Sequence, residues 1–138
     1  MRSRTETNRY RLPPVLLERV TRLAAARPNE IFSVWGANMR CYYASASTTS
    51  IPGGYTQEEM LGRKASEFVH VSDFAHMALA KSDTELTGKS IEMSVDVRNK
   101  FGDRIRVRSR TQLLRDESSG KVFFLTRSVP ADQKLSDL

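Results

Sequence analysis

The second half of the chain alternates regularly between apolar and polar residues. Apolar residues occupy every second position over 91–97, which is the period of a strand with one buried face. A second alternating segment, 104–114, follows the glycine-containing loop 99–103, and a third strand is predicted over 121–129 after the loop 116–120. The pattern therefore predicts three antiparallel strands joined by two hairpin loops.

The first half of the chain begins with helical periodicity. After Pro13-Pro14, apolar residues recur about every 3.6 positions, which predicts an amphipathic helix over 13–27. Two short segments rich in β-branched and aromatic residues follow, 31–35 and 39–44. Because Gly36-Ala37-Asn38 supplies a turn between them, they predict a hairpin.

Short helices are predicted between this hairpin and the three later strands. Thr56 and Glu59 have the spacing of a capping box, and Ser72 and Asp73 are expected to cap a longer helix that ends at Gly88. The order of the elements predicts an α+β domain. Its architecture is a five-stranded antiparallel sheet with short helices on one face, together with the amphipathic helix at the N-terminus.

The composition agrees with a single domain. The chain has 138 residues, of which 39% are hydrophobic and 28% charged, enough for one core of ordinary size. We divide it into a flexible basic arm and N-terminal helix (1–28), a domain (29–130) and a C-terminal tail (131–138). No apolar run approaches the about 18 residues of a membrane-spanning helix, so no membrane insertion is expected. The single cysteine favours a reducing compartment, the cytoplasm or the nucleus.

The net charge of +6 is concentrated in two segments. Residues 1–30 contain seven arginines and three glutamates, and residues 98–115 contain seven basic residues and one acidic residue. In the second segment four arginines occupy every second position, so strand geometry places them on one face. This arginine row, which could hold phosphates or an acidic partner, consists of Arg104, Arg106, Arg108 and Arg110.

The arginine row also has a purely structural explanation. If the loop 99–103 sets the register, Asp96 lies near Arg106 and Glu92 lies near Arg110, and the other two arginines are unpaired. Exposed pairs of this kind contribute only about 0.2–1 kcal/mol each. The arginine row is therefore either a ladder of solvated ion pairs or a surface that binds a partner. Together with the basic arm, the row makes a nucleic-acid-binding module an alternative function.

Four segments of the chain resemble the PAS domain family. Gly54–Arg63 resembles the family's segment of Gly-Tyr, two acidic residues, an apolar pair and Gly-Arg. Val69–Asp73 resembles the step into its long helix, Arg98–Asp103 resembles the hairpin before its central strand, and Arg127–Val129 stands where many members have Arg-Asp-Ile. The resemblance covers residues 29–130 and includes the elements predicted between these segments.

The resemblance implies a sensory or protein-interaction domain in signal transduction or transcriptional regulation. Such a domain acts by forming a homodimer or by binding another PAS-containing protein. The resemblance further implies that the outer face of the sheet and the N-terminal helix make this contact. The residues expected there are Leu16, Val20, Leu23, Arg104, Arg106, Arg108 and Arg110.

The resemblance also implies that the inner, helix-covered face can hold a small ligand. The residues expected on this face either enclose a cavity or fill the space completely. They are Trp35, Tyr42, Met60, Phe68, Met77, Met93, Val95, Val107 and Phe124.

The sequence offers little for cofactor or catalytic chemistry. No cofactor is expected, because Gly62–Phe68, which corresponds to the segment of the flavin photoadduct, contains no cysteine. The alternative is a sensor of haem or of a small organic ligand, with His76 as the iron ligand. Cys41 is expected to be a small apolar core residue. Because no nucleophile has a recognisable base partner and no metal-ligand spacing is present, neither an enzyme nor a metal site is expected.

Overall fold

A computed structural model of the protein describes residues 9–50 and 54–135. Most of the predicted basic arm, up to residue 8, and the end of the predicted tail lie outside the described residues. Five strands form one antiparallel sheet in the order β2-β1-β5-β4-β3. The strands are β1 (Ile31–Gly36), β2 (Cys41–Ala44), β3 (Ile91–Arg98), β4 (Arg104–Arg115) and β5 (Val122–Pro130).

Helices lie on both faces of this sheet. The helices of the described residues are α1 (Pro14–Ala26), α2 (Gln57–Met60) and α3 (Val71–Thr87), with short 3-10 turns at Ala46–Ser50 and Ala65–Glu67. The 3-10 turns, α2 and α3 lie towards the inner face, and α1 covers the outer face. The predicted α+β architecture is therefore confirmed. Within 9–50 and 54–135 no helix is long and apolar enough to cross a membrane.

The register of β3 and β4 is the one that the alternation predicts. Val95 pairs with Val107 and Asp96 pairs with Arg106, so the apolar residues of both strands share the inner face. The hairpin between the two strands turns at Gly102, whose φ of 84° is in the left-handed region that favours glycine.

Helix α1 is part of the chain's own core. Leu16 is 3% exposed and Val20 is completely buried, and Leu23 is partly buried beside them. The three residues pack on the outer face of the sheet, against a cluster that includes Phe32, Val34, Leu114, Phe123 and Leu125. This corrects the expectation that the helix stripe contacts a partner. The physical reason is that β1 and β5 are buried on both faces, so the apolar residues on the outer face of each strand must also be covered.

A β-bulge in β2 changes which face its tyrosines occupy. The register shifts so that Trp35 pairs with Cys41 while Val34 pairs with Tyr43, which leaves Tyr42 as the extra residue. Tyr42 consequently packs with Tyr43 against the outer cluster under α1. The expectation that Tyr42 lines the inner face is therefore wrong.

The ends of α2 and α3 are fixed by side-chain hydrogen bonds. The capping box of Thr56 and Glu59 is present, as predicted. Helix α3 is capped by His70 instead of Ser72 or Asp73: the Ser72 amide donates to His70 Nδ1 at 3.2 Å. The carboxylate of Asp73 instead accepts the amide of Asp96 at 2.8 Å, at the outer edge of β3, where the Val69 segment also bridges to Val97.

An ion pair that the sequence analysis did not anticipate lies just before β1. The Nε and Nη2 atoms of Arg127 each lie 2.8 Å from Glu30 Oε1. Both side chains are almost completely buried, and the Arg127 guanidinium lies over the Phe32 ring. The pair therefore joins the start of β1 to β5 inside the core.

Candidate functional site

The inner face of the sheet and the helices above it enclose a cavity of about 100 Å³ that is partly open to solvent. Six of the residues expected on the inner face line this larger lobe: Trp35, Met60, Phe68, Met77, Val95 and Val107. The space between the sheet and the helices is therefore not completely filled. A volume of this size can hold several water molecules or a small organic molecule.

A smaller lobe of about 30 Å³ lies beside the first. Two further expected residues, Met93 and Phe124, line it together with Lys81 of α3. Trp35 and Met77 line both lobes, which places the two lobes next to each other. Of the nine residues expected around a ligand, eight therefore surround the two lobes, and Tyr42 is the exception.

The base of the cavity carries a group of hydroxyl side chains that the sequence analysis missed. They extend from the three central strands towards the two lobes, on the same face as Val107. We call them the hydroxyl floor, and its members are Ser33, Ser109, Thr111, Thr126 and Ser128. The alternation of β4 and β5 places their members on the inner face, so the strand period predicts the face that these hydroxyls occupy but not their pairing.

Four of these side chains form two pairs across β4 and β5. Ser109 Oγ and Ser128 Oγ lie 2.8 Å apart, and Thr111 Oγ1 and Thr126 Oγ1 lie 3.2 Å apart. Each pair joins residues that are direct neighbours in the register of the two strands. The floor is therefore a hydrogen-bonded layer on the sheet.

The fifth hydroxyl, that of Ser33, accepts a hydrogen bond from the single tryptophan of the chain. Trp35 Nε1 donates to Ser33 Oγ at 3.0 Å, and Ser33 is 7% exposed. Trp35 also packs near Phe68, with the ring centroids 6.1 Å apart. The indole therefore forms a fixed wall that both lobes share.

A charged cluster lies beside the larger lobe, where α2 meets the β3–β4 hairpin. Lys100 Nζ lies 2.5 Å from Glu59 Oε1 and 5.9 Å from the centroid of the Tyr55 ring, which lines the lobe. The Tyr55 hydroxyl donates to the Asn99 carbonyl at 3.5 Å. The hydrogen bond from Lys100, followed by the backbone bond that closes the capping box, lowers the pKa of Glu59 to about 2.

The structure does not place His76 where an iron ligand would be needed. His76 is exposed on α3 and lines neither lobe, whereas Met77 faces the cavity. A haem in the cavity would therefore receive no ligand from His76, and the residues do not fit that alternative. Among the described residues, no three His, Cys, Asp or Glu side chains are grouped so that they could hold a metal ion. Cys41 is fully buried beside Trp35.

The arginine row lies on the outer face of β4, beyond the part of the sheet that α1 covers. Arg106 Nη1 lies 3.1 Å from Asp96 Oδ1, and Arg110 Nη2 lies 3.9 Å from Glu92 Oε2. The two ion pairs that the sequence predicts are thus present. The second is at the outer limit of an ion-pair distance and contributes little.

The other two arginines differ from expectation. Arg104 is paired, because its Nη2 lies 2.6 Å from Asp96 Oδ2, and its hydrogen bond is the largest cause that lowers the pKa of Asp96. Arg108 donates to the Ala131 carbonyl at 3.4 Å. Both differences arise because long arginine side chains reach diagonal and C-terminal neighbours that a straight cross-strand pairing does not include.

Comparison with known proteins gives matches at the level of structure. No protein-family model matches the chain, and no curated protein sequence does. The PAS domain of a protein from Colwellia psychrerythraea aligns with a TM-score of 0.69 at 16% identity, over 84% of this chain and 96% of that one. The PAS-B domain of Drosophila melanogaster Cycle with bound ethylene glycol aligns with a TM-score of 0.65 at 14% identity, over 72% and 98%.

A PAS domain from a two-component sensor histidine kinase is also similar, with a TM-score of 0.63 at 16% identity over 86% of this chain and 99% of that one. All three alignments include nearly the whole length of the known domain. The chain therefore has the PAS fold.

Proposed function

We propose that this chain is a sensory and interaction domain in signal transduction, which binds a small molecule on the inner face of its sheet and a protein partner on the outer face. The similarity to a PAS domain from a sensor histidine kinase supports a signalling role. The proposal includes no catalytic step and no resident cofactor, because the lining of the cavity offers packing and hydroxyl groups and no paired acid and base.

One observation carries the proposal: strand β4 lines the cavity with one face and presents the arginine row with the other. Val107 and Ser109 line the larger lobe, and Arg106 and Arg108 alternate with them on the opposite face. Because successive side chains of a strand point to opposite faces, any shift of β4 caused by a ligand also moves the arginines. A single element therefore connects the two surfaces.

The outer surface fits a partner that presents carboxylates. Arg104 and Arg106 have side chains 54% and 57% exposed, and they share a single acidic partner, Asp96. Planar guanidinium groups at this spacing bind carboxylates in a forked geometry. Residues 31–97 of the chain contain eight acidic and five basic residues, so a second copy of the chain offers suitable groups. We therefore take a homodimer as the first candidate partner and another PAS-containing protein as the second.

The nucleic-acid alternative is weaker on the same observations. Asp96 and Glu92 of β3 lie beside the arginine row and neutralise part of its charge. Binding to a phosphate backbone depends on several free basic groups in one patch, and these ion pairs reduce their number.

Sedimentation velocity of the purified chain tests the interaction. We expect a concentration-dependent dimer at 150 mM salt that is weakened in the double variant Arg106→Ser/Arg108→Ser. The matched control is Arg19→Ser/Arg22→Ser, which removes two exposed arginines from α1 and should leave the dimer intact. A chain that is monomeric at all concentrations would exclude the second copy as partner. Binding to duplex DNA that decreases steeply between 50 and 200 mM salt would favour the nucleic-acid alternative.

A further inference from the structure

We propose that the hydroxyl floor makes the cavity selective for small uncharged molecules that present a hydrogen-bond acceptor, such as a carbonyl oxygen, on one edge and an apolar body on the other. This inference rests on the proposed function, because it names the class of ligand for the same cavity. It goes beyond that function, since a small molecule could also be held by the apolar walls alone.

The hydroxyl floor has more O–H donors than its own hydrogen bonds use. Ser109 and Ser128 share one hydrogen bond, and each hydroxyl has one O–H, so one O–H of the pair has no acceptor among the described residues. The pair of Thr111 and Thr126 leaves one O–H in the same way. Ser33 accepts from the indole, and no described group accepts its own O–H. The floor therefore offers three hydroxyl donors to the cavity.

The burial of these donors makes an acceptor favourable. Ser33, Ser109 and Thr126 are 7%, 5% and 8% exposed. A buried donor without an acceptor is costly, so a bound molecule with an acceptor gains more here than it would in open water. The facing walls are apolar and include Trp35, Met60 and Phe68. A molecule with an acceptor at one edge and a hydrocarbon body fits both sides.

The charged residues of the lining do not favour a charged ligand. Lys81 Nζ donates to the Ala37 carbonyl at 3.2 Å and lies 5.0 Å from the centroid of the Phe124 ring. Arg98 pairs with Arg104 in the sheet register, on the face opposite the floor. On the floor of the larger lobe, which Lys81 does not line, a carboxylate would exchange its hydration for neutral hydroxyls, which is unfavourable.

Three probes of nearly equal size separate these features. Cyclopentanone carries the carbonyl acceptor, methylenecyclopentane replaces the oxygen with a CH₂ group, and cyclopropanecarboxylate carries a charge at the same number of non-hydrogen atoms. Binding is followed by the indole N–H signal of the only tryptophan in two-dimensional NMR, because Trp35 lines both lobes. The dissociation constants for the wild-type chain are compared with those for two variants.

The test variant is Ser109→Ala/Ser128→Ala, which removes both members of one pair, so neither hydroxyl of that pair is left without its partner. The matched control is Ser90→Ala/Ser94→Ala, which removes two exposed hydroxyls at the edge strand β3 and the residue before it. We expect the test variant to bind cyclopentanone about threefold to tenfold more weakly, with methylenecyclopentane unchanged. The control variant should bind both probes like the wild type.

Each other outcome is decisive. If the test variant changes the affinity for the ketone and the hydrocarbon equally, or changes neither, the floor does not select acceptors and the inference fails, although the cavity still binds small molecules. If the carboxylate binds more tightly than the ketone, the restriction to uncharged molecules fails. If none of the three probes binds, the inference fails together with the small-molecule part of the proposed function.

Discussion

The two faces of the sheet differ in how closely they are packed. Under α1 the outer face is dry and closely packed, with Val20, Phe32 and Leu125 completely or almost completely buried. Under α3 the inner face contains two lobes of empty space and a layer of hydroxyls. Only a minority of the residues in α3 are buried, and Leu79 and Leu86 on that helix are exposed.

This difference supports the proposal that the outer face under α1 stabilises the fold and that the inner face binds a small molecule. Each fully buried aliphatic side chain of the outer face contributes about 1.5–3 kcal/mol. Hydroxyl pairs on the inner face contribute less, about 0.5–1.5 kcal/mol each. Substitutions under α1 should therefore affect folding, and substitutions under α3 should affect the ligand.

The largest effect is expected at Val20. Val20→Asp places an unpaired charge in the dry outer core, so we expect a loss of about 4 kcal/mol or more and an unfolded chain in circular dichroism. Val15 is the matched control, since it lies on the same helix but is 77% exposed. Val15→Asp should stay within about 0.5 kcal/mol of the wild type. Equal effects of the two substitutions would show that α1 does not pack as described.

The buried ion pair should give the next largest effect. Arg127→Met leaves the carboxylate of Glu30 buried without its main partner, which costs about 3–5 kcal/mol in urea denaturation. The double variant Glu30→Gln/Arg127→Met removes both charges and should recover a large part of this loss. A double variant no more stable than the single one would mean that the charge pairing is not the source of the effect.

A stabilising substitution is expected on the inner side. Thr84 of α3 is completely buried, and within 9–50 and 54–135 its hydroxyl has no hydrogen-bond partner. Thr84→Val keeps the shape and removes the unpaired hydroxyl, so the free energy of unfolding should increase by about 1–2 kcal/mol. Thr87→Val is the control, because that exposed hydroxyl bonds the Asp83 carbonyl at 2.7 Å. A loss of stability in Thr84→Val would show that the hydroxyl is satisfied after all.

The smallest effect is a pH dependence at the charged cluster beside the larger lobe. The pKa of Glu59 is about 2 instead of 4.5, so its ionised form stabilises the folded chain. This contribution is complete above pH 4.5 and is lost as the pH falls from 4.5 towards 2. Glu59→Gln keeps the capping box but removes the charge. The difference in urea midpoint between wild type and variant should be constant from pH 7 to 5 and decrease below pH 4.5; a difference that persists unchanged at pH 3 would contradict this.

The sequence was sufficient where a strand pattern or a family resemblance was available. Alternation and the hairpin loop 99–103 gave β3 and β4 the correct faces and register. The resemblance to the PAS family indicated the cavity residues, and eight of the nine line the lobes. The sequence was insufficient where the period is interrupted or absent. The bulge that turns Tyr42 outward adds one residue without a local marker. The apolar runs of β1 and β5 do not show that both faces are covered, so the role of α1 was misassigned.

The hydroxyl floor shows a different limit of sequence reasoning. Ser109 and Thr126 lie in predicted strands, but serine and threonine are polar, so hydrophobicity alone does not predict that they are buried. Only the register of β4 and β5 shows that these hydroxyls meet on one buried face. The pair of Glu30 and Arg127 has the same cause, because 97 residues separate its members. Long-range pairing of polar residues needs the sheet order, which the sequence alone did not supply.

A residue-resolved NMR titration of the wild-type chain with cyclopentanone tests the separation of the two faces most directly. We expect saturable shifts in the Trp35 indole signal and in the amides of Ser109 and Thr126, extending to Arg108 on the opposite face of β4. The amides of Leu16 and Val20 in α1 should not shift. Shifts concentrated in α1, or no saturable shift at the inner face, would contradict the assignment of small-molecule binding to the inner face and of the stabilising core to the outer face under α1.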